Sequence, residues 1–311
     1  MDNPTLKHSA AQALSGATYP PGRLALLHTG AALLMSCLTT LVSFLLTRQI
    51  DATSGLSGLG TRTVLMMAQT LLTVAAVAVL PFWEYGFLRA AIGYSRREQV
   101  TPATLLTGFR RFGPVLRLIL LRSILVMGVT FLCIQAASIL FMMSPLSTVF
   151  MQQIDQLLAT ADPASLDAAA IEGLMPYLYP MYVLFAVALC VVLIPLLYRL
   201  RLADYLVLDG TDKALYALRL SSHSMRGNRL TLFKLDVSFW WYYLLLGLCT
   251  VLAYGDKLLP VLGICMNADV AFWLFYGLSI CAQLVITWRF APLIQTTYAM
   301  FYDSAKAFPR G

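Results

Sequence analysis

Charge is what this sequence lacks most. Only 12% of its 311 residues are Asp, Glu, Lys or Arg, while 59% are hydrophobic; a soluble domain is about a quarter charged and nearer half apolar. So few ionic groups cannot coat a globular surface of this size in water, and hydrocarbon must be the solvent for much of the chain. Acid is the scarcer sign, 15 residues against 22 Lys and Arg, which leaves a net charge of +7. No basic stripe interleaved with aromatics accompanies that excess, so no nucleic acid is expected as a partner. The positive charge sits instead in blocks that flank apolar runs, a placement that meets the anionic headgroups of a cytoplasmic leaflet.

Motifs for chemistry are missing too. The six cysteines (Cys37, Cys133, Cys190, Cys249, Cys265 and Cys281) and three histidines (His8, His28 and His223) form no CxxC and no Cys/His cluster. Neither structural disulfides nor a metal site is expected, and the cysteines read as small apolar packers. There is no GxSxG, HExxH, Walker-type loop or paired-carboxylate motif. The expectation is a protein that is not an enzyme and that uses no cofactor. His28 and His223 read as interfacial. Residues Met1 to Pro20 carry one lysine and lack the charged, apolar and small-residue layout of a cleaved leader.

Long apolar runs, by contrast, are plentiful. A crossing needs about twenty apolar residues, and six runs qualify: 24–46, 64–88, 118–143, 177–198, 237–254 and 270–288. The sequence therefore predicts an all-α integral membrane protein with six transmembrane helices. Alternate connections differ sharply in charge. All but three of the 22 basic residues fall before the first span, in the second and fourth connections, in the tail, or on the span edges facing them; the exceptions are Arg48, Arg62 and Lys257. The connection 144–176 has no Lys or Arg but carries Asp155, Asp162, Asp167 and Glu172. By the positive-inside rule both termini are cytoplasmic and 144–176 is extracytoplasmic. Trp83, Tyr85, Tyr198, Trp240 to Tyr243 and Trp288 stand where spans should meet the inner headgroups and read as anchors.

The chain also hints at an internal repeat. AQALSGATYPPGRLALL (Ala11–Leu27), ATLLTGFRRFGPVLRLILL (Ala103–Leu121) and ALRLSSHSMRGNRLTLFKL (Ala217–Leu235) each set an Ala/Leu-rich start, a glycine and a basic residue before an apolar run. The returning spans share Pro81, Pro195 and Pro292 near their inner ends, with helical pattern continuing to about Tyr94, Leu208 and Tyr302. Proline removes a backbone donor and bends a helix there. Three related hairpins, each introduced by a cytoplasmic amphipathic helix, is the architecture this predicts. In 144–176 two short helices are expected, one starting at Asp162-Pro163, an N-cap followed by proline in the first turn.

A charge inside a span needs a partner and is a functional candidate by default. Glu84 lies near the inner end of the second span, Arg117 and Arg122 near that of the third, and a Glu84–Arg122 pair is expected at similar depth. Asp236 opens the fifth span beside Lys234. Gln135 lies deeper, where it could line a pore or tie helices together. One reading makes these a proton- or cation-coupled site; the other makes them structural ion pairs with snorkelling arginines. Arg110, Arg111, Arg226 and Arg229, in the basic connections, are candidates for contact with lipid headgroups.

Two stretches carry a resemblance. ALYALRLSSHSMRGNRLTLFKLD (Ala214–Asp236) runs into VSFWWYYLLLG, and the tail reads PLIQTTYAMFY (Pro292–Tyr302); GFLRAAIGYSRREQVTPATLLTGFRRFG spans Gly86–Gly113. Together they resemble the bacterial integral-membrane family called domain of unknown function nine-seven-five. The matching positions are Ala217, Leu218, Ser221, Met225, Gly227, Asn228, Leu232, Phe233, Leu235, Asp236, Ser238 and Phe239, then Pro292, Ala299, Phe301 and Tyr302. Leu293 departs from the tyrosine usual after the proline, and 144–176 is longer than in that family. The resemblance implies a multispan membrane protein and brings no activity or catalytic residues. With the composition, it leaves two expectations: a non-enzymatic protein that handles or senses lipid of the anionic inner leaflet or scaffolds a partner there, and a transporter or channel for a small solute or ion.

Overall fold

The computed structural model describes residues 3–52, 59–160, 168–257 and 267–307. Regular structure among them is all helical. In chain order the helices are α1 (Asn3–Ser15), α2 (Pro21–Ala52), α3 (Leu59–Ser95), α4 (Thr107–Arg110), α5 (Phe112–Met142), α6 (Pro145–Thr160), α7 (Ala168–Leu200), α8 (Ala203–Leu208), α9 (Ala214–Ser224), α10 (Arg229–Val237), α11 (Trp240–Ala253) and α12 (Ala268–Ala307), with 3-10 turns at Pro102–Leu106 and Gly255–Lys257.

Five helices are long and apolar enough to cross a membrane, and a sixth span exists if α10 and α11 count as one segment bent by 55°. Each expected run lies on one of these helices. Their length is the surprise: α12 has 40 residues and α3 has 37, so at about 1.5 Å per residue both exceed a hydrocarbon core of about 30 Å by a wide margin. The excess at one end is the continuation expected beyond Pro81 and Pro292. After Pro195 the continuation breaks instead: α7 stops at Leu200, and α8 resumes one turn later.

The chain divides into two compact units, 1–116 with 202–311, and 117–201. In the first, α2, α3 and α12 pack on one another and α11 packs on α12. Short helices gather at the end where α3 and α12 finish: α1 rests on α12 and α3, the 102–110 segment on α3, and α8 on α3 and α9. The amphipathic pattern of α1 explains its seat, since Leu6, Ala10 and Ala13 repeat at helical spacing and are its buried residues. A core of Leu24, Ala25, Phe87, Ala90, Tyr94, Val100, Leu105 and Ala291 joins these layers.

The second unit is simpler. Its part of α5 carries Cys133, Ala137 and Phe141 on one buried face, every fourth residue, and Phe141 meets Phe150 of α6 edge-on, ring centroids 6.0 Å apart. Ser144 turns the chain, its hydroxyl donating to the Phe141 carbonyl at 2.6 Å, and Pro145 opens α6 where its missing N–H costs nothing. The helix expected to start at Asp162-Pro163 lies outside the described residues. Residues 168–176, expected in the connection, form the first turns of α7, which runs unbroken through Pro176 and Pro180 and packs on α6.

Candidate functional site

Polar chemistry in the first unit concentrates in two places. The first is centred on Asp209, at the C-terminus of α8, where Gly210 adopts φ +112° and so releases the chain sideways. Arg96, just past the end of α3, donates from both terminal nitrogens to the two Asp209 oxygens at 2.5 and 3.1 Å. Lys306 of α12 donates at 2.7 Å and the Tyr302 hydroxyl at 2.9 Å. Arg96 also reaches Asp303 at 2.7 Å. The Asp209 side chain is only 14% exposed. Burial by itself raises its carboxyl pKa, but the hydrogen bonds from Arg96, Lys306 and Tyr302 together outweigh that and hold it well below the usual carboxylate range. The same bonds to Asp209 and Asp303 raise the Arg96 pKa further and keep it charged. Three chain segments that return to this end, α3, α8 and α12, are thus fastened by one fork-and-carboxylate knot.

The second place is the break between α10 and α11. Ser238 turns its hydroxyl onto the Leu235 carbonyl at 2.5 Å, and Phe239 precedes the new axis. Lys7 of α1 donates to the Ser238 carbonyl at 3.2 Å and lies 4.2 Å over the Phe239 ring. Such a freed carbonyl at a helix end needs a donor, and the amine supplies it. Burial lowers the Lys7 pKa. Beside the break, the Tyr298 hydroxyl donates to Asp236 and lies 3.0 Å from the Tyr243 hydroxyl. Asp236 is therefore engaged by Tyr298 of α12.

The other sequence candidates scatter. Glu84 is exposed on α3 and near enough to Tyr242 to act on it electrostatically. Arg117, Arg122 and Gln135 lie on α5 in the second unit, with Arg117 and Gln135 exposed and Arg122 half-buried. Glu84 and Arg122 belong to different units, so their pairing stays an expectation. Arg110 and Arg226 are exposed, and Arg229 is half-buried. Arg111 has an internal role: it donates to the Val207 carbonyl and pairs with Asp212 at 3.3 Å. His28, read as interfacial, is buried with its ring stacked on Phe87 at 4.5 Å. Arg96, Asp209, Tyr298 and Asp303 were not singled out by sequence reasoning, and Tyr302 only for the resemblance, because polar groups near helix ends look like ordinary solvated termini until the fold brings them together. No group of three or more His, Cys, Asp or Glu side chains that could hold a metal ion occurs among the described residues.

Five or six helices long and apolar enough to cross a membrane, in a structure that is all helical among the described residues, fit one class: a multispan, all-helical membrane protein. No model of a known protein family, no curated protein and no solved structure matches the chain.

Proposed function

We propose that this is a non-enzymatic protein of a bacterial cytoplasmic membrane, both termini cytoplasmic, that handles or senses lipid of the anionic inner leaflet or scaffolds a partner there. In this reading α10 and α11 form one bent span, six spans cross the bilayer as three related hairpins, and the stretches at 86–113, 214–236 and 292–302 make the chain a divergent member of the family they resemble. One observation carries the functional part. The basic end of the first unit is a layer of short helices laid across the ends of long ones, with Arg110 and Arg226 exposed on it. Amphipathic elements with basic polar faces lie in the interface and attract anionic headgroups, each cation contributing about 1 kcal/mol near the surface.

Mass spectrometry of the full chain, extracted in native lipid discs without detergent, tests the reading. A stoichiometric, headgroup-selective lipid or a co-purifying protein is expected. Bulk lipid alone would turn the argument to solute flux.

The break at Ser238–Phe239 supports a second reading, a transporter or channel for a small solute or ion. Interrupted helices at membrane depth occur where backbone lines a cavity or is buried in protein, and Asp236 with Tyr298 and Tyr243 would be the polar lining. Single cysteines at Glu84 or Gln135, in a chain freed of its own cysteines, separate the two. Labelling of both by membrane-impermeant thiol reagents favours a water-filled path, and complete protection removes it.

A further inference from the structure

Between α2 and α3 lies an apolar slot of about 410 Å³, walled by Ala31, Ala32 and Met35 on one side and Leu80 and Trp83 on the other, and closed by Phe109. Its depth is informative. Leu80 and Trp83 stand about 8 to 12 Å along α3 from Leu88, the inner limit of the apolar run, which is the level of acyl chains in one leaflet of a core about 30 Å thick.

The slot is also held open by rigid parts, which sets it apart from an ordinary lipid-facing groove. The segment 101–110 lies across α3 backbone to backbone. A Cβ on Gly86 would overlap the Leu105 carbonyl, and one on Gly108 would overlap the Phe82 carbonyl. Phe82 adds a ring contact to Phe109, centroids 5.7 Å apart. Trp83 is tethered as well, its indole N–H donating to the His28 carbonyl at 2.9 Å. A cavity whose walls need no ordering on binding keeps more of the contact energy as affinity, and this volume lies in the ordinary range for small-molecule sites, about 300–1,000 Å³.

The segment is two-faced. Phe109 closes the slot, whereas Arg110, the next residue, lines a polar pocket on the other side with Thr104 and Thr107. Arg89 in that pocket is paired with Glu98 at 2.8 Å. Arg110 is exposed and makes no ion pair among the described residues. A chain lying in the slot therefore leaves its glycerol and phosphate at the edge of the segment, within the sweep of a flexible cation whose stem is apolar. We infer that this slot holds one acyl chain of an anionic inner-leaflet phospholipid, its phosphate met by Arg110. The inference rests on the lipid reading above and names the ligand class and the residues for it.

The test uses the full chain in discs of mixed anionic and zwitterionic phospholipid, with retained lipid read by native mass spectrometry. Wild type is expected to keep one anionic lipid. Ala32→Leu, which fills the slot, should lower that retention about tenfold, roughly the loss of 1.4 kcal/mol of binding. Arg110→Gln should keep chain occupancy while the preference for the anionic headgroup falls toward unity. A selective lipid that survives both substitutions overturns the slot and leaves the lipid reading standing. No selective lipid on wild type sinks both. Should Ala32→Leu fail to fold, fluorescence decides with native residues: acyl-brominated anionic lipid should quench wild type more than Trp83→Phe, and more than the zwitterionic analogue does. Equal quenching by the two lipids, or quenching that Trp83→Phe does not change, overturns the proposal.

Discussion

The two units solve the same problem, helices in an apolar solvent, by different means. The first unit ties residues far apart in the chain: Arg96 with Asp209, Lys306 with Asp209, Tyr85 with Asp204 at 2.6 Å, Tyr298 with Asp236. Its Tyr298 and Tyr302 are among the largest fully buried side chains. In the second unit the hydroxyls of Ser144, Ser147 and Thr148 bond carbonyls within five residues, and exposed Ile, Leu, Met and Val line α5 and α7. Apolar surface gains little from leaving lipid for another helix, so what holds helices together in a membrane is close packing and directional bonds. The first unit has both at many points, and its polar bonds crowd the end of the bundle, where water and protein compete for them.

Six substitutions probe that contrast. The largest effect is expected at the glycines. Gly108→Ala forces a methyl against the Phe82 carbonyl, so it should cost about 3 kcal/mol and loosen the 101–110 segment. In the second unit, Gly128 has nothing within 4 Å of a built Cβ, so Gly128→Ala should be neutral or stabilise by up to about 1 kcal/mol. Thermal unfolding of both variants in lipid discs reads the difference, and equal losses would erase the comparison.

Next comes the knot. Asp209→Asn removes the charge that Arg96 and Lys306 share, and should cost about 2 kcal/mol, discounted from a buried pair because Lys306 is half exposed. Asp155→Asn, exposed on α6, should stay within about 0.5 kcal/mol. The knot also carries a pH signature. The folded Asp209 carboxyl titrates below its ordinary value of 3.8, so its stabilisation is complete above that value and is lost as pH falls below it toward the folded value. Unfolding midpoints measured from pH 6 down to pH 3 should drop more steeply for wild type than for Asp209→Asn.

A smaller loss, about 1 kcal/mol, is expected for Tyr298→Phe, which removes one donor from Asp236. The smallest is Lys7→Met, about 0.5 kcal/mol, since the half-buried amine gives up one long hydrogen bond, 3.2 Å, and a ring contact. If that variant also frees α1 to protease while Tyr298→Phe does not, α1 is held chiefly at the Ser238 carbonyl.

How far the sequence discloses this structure follows from the range of each interaction. The apolar runs are local and set by solvent, so five of the six expected spans fall on single long helices and the fifth in order, 237–254, falls across the bent pair α10 and α11. The basic ends were legible for the same reason. The break in the fifth segment was not, because Asp236, Val237, Ser238 and Phe239 read as the rim of an ordinary span; the donor that meets the freed Ser238 carbonyl is Lys7, more than two hundred residues earlier. Asp209 and Arg96 were invisible likewise, being 113 residues apart. Arg111 was legible as basic but not as engaged, since its acceptors lie on α8 and just beyond it. The burial of His28 was not legible, because a single imidazole near a span edge gives no sign that Phe87 will cover it.

The knot at Asp209 has a temporal side. The chain is made and inserted from its N-terminus, so Arg96 and then Asp209 are in place long before Tyr302, Asp303 and Lys306 are synthesised. Until the last helix arrives, one arginine and one aspartate hold the junction with acceptor and donor positions still open. The residues that close it all lie on the C-terminal half of α12, so a chain cut between Arg289 and Tyr302 would keep its apolar runs and lack its clasp.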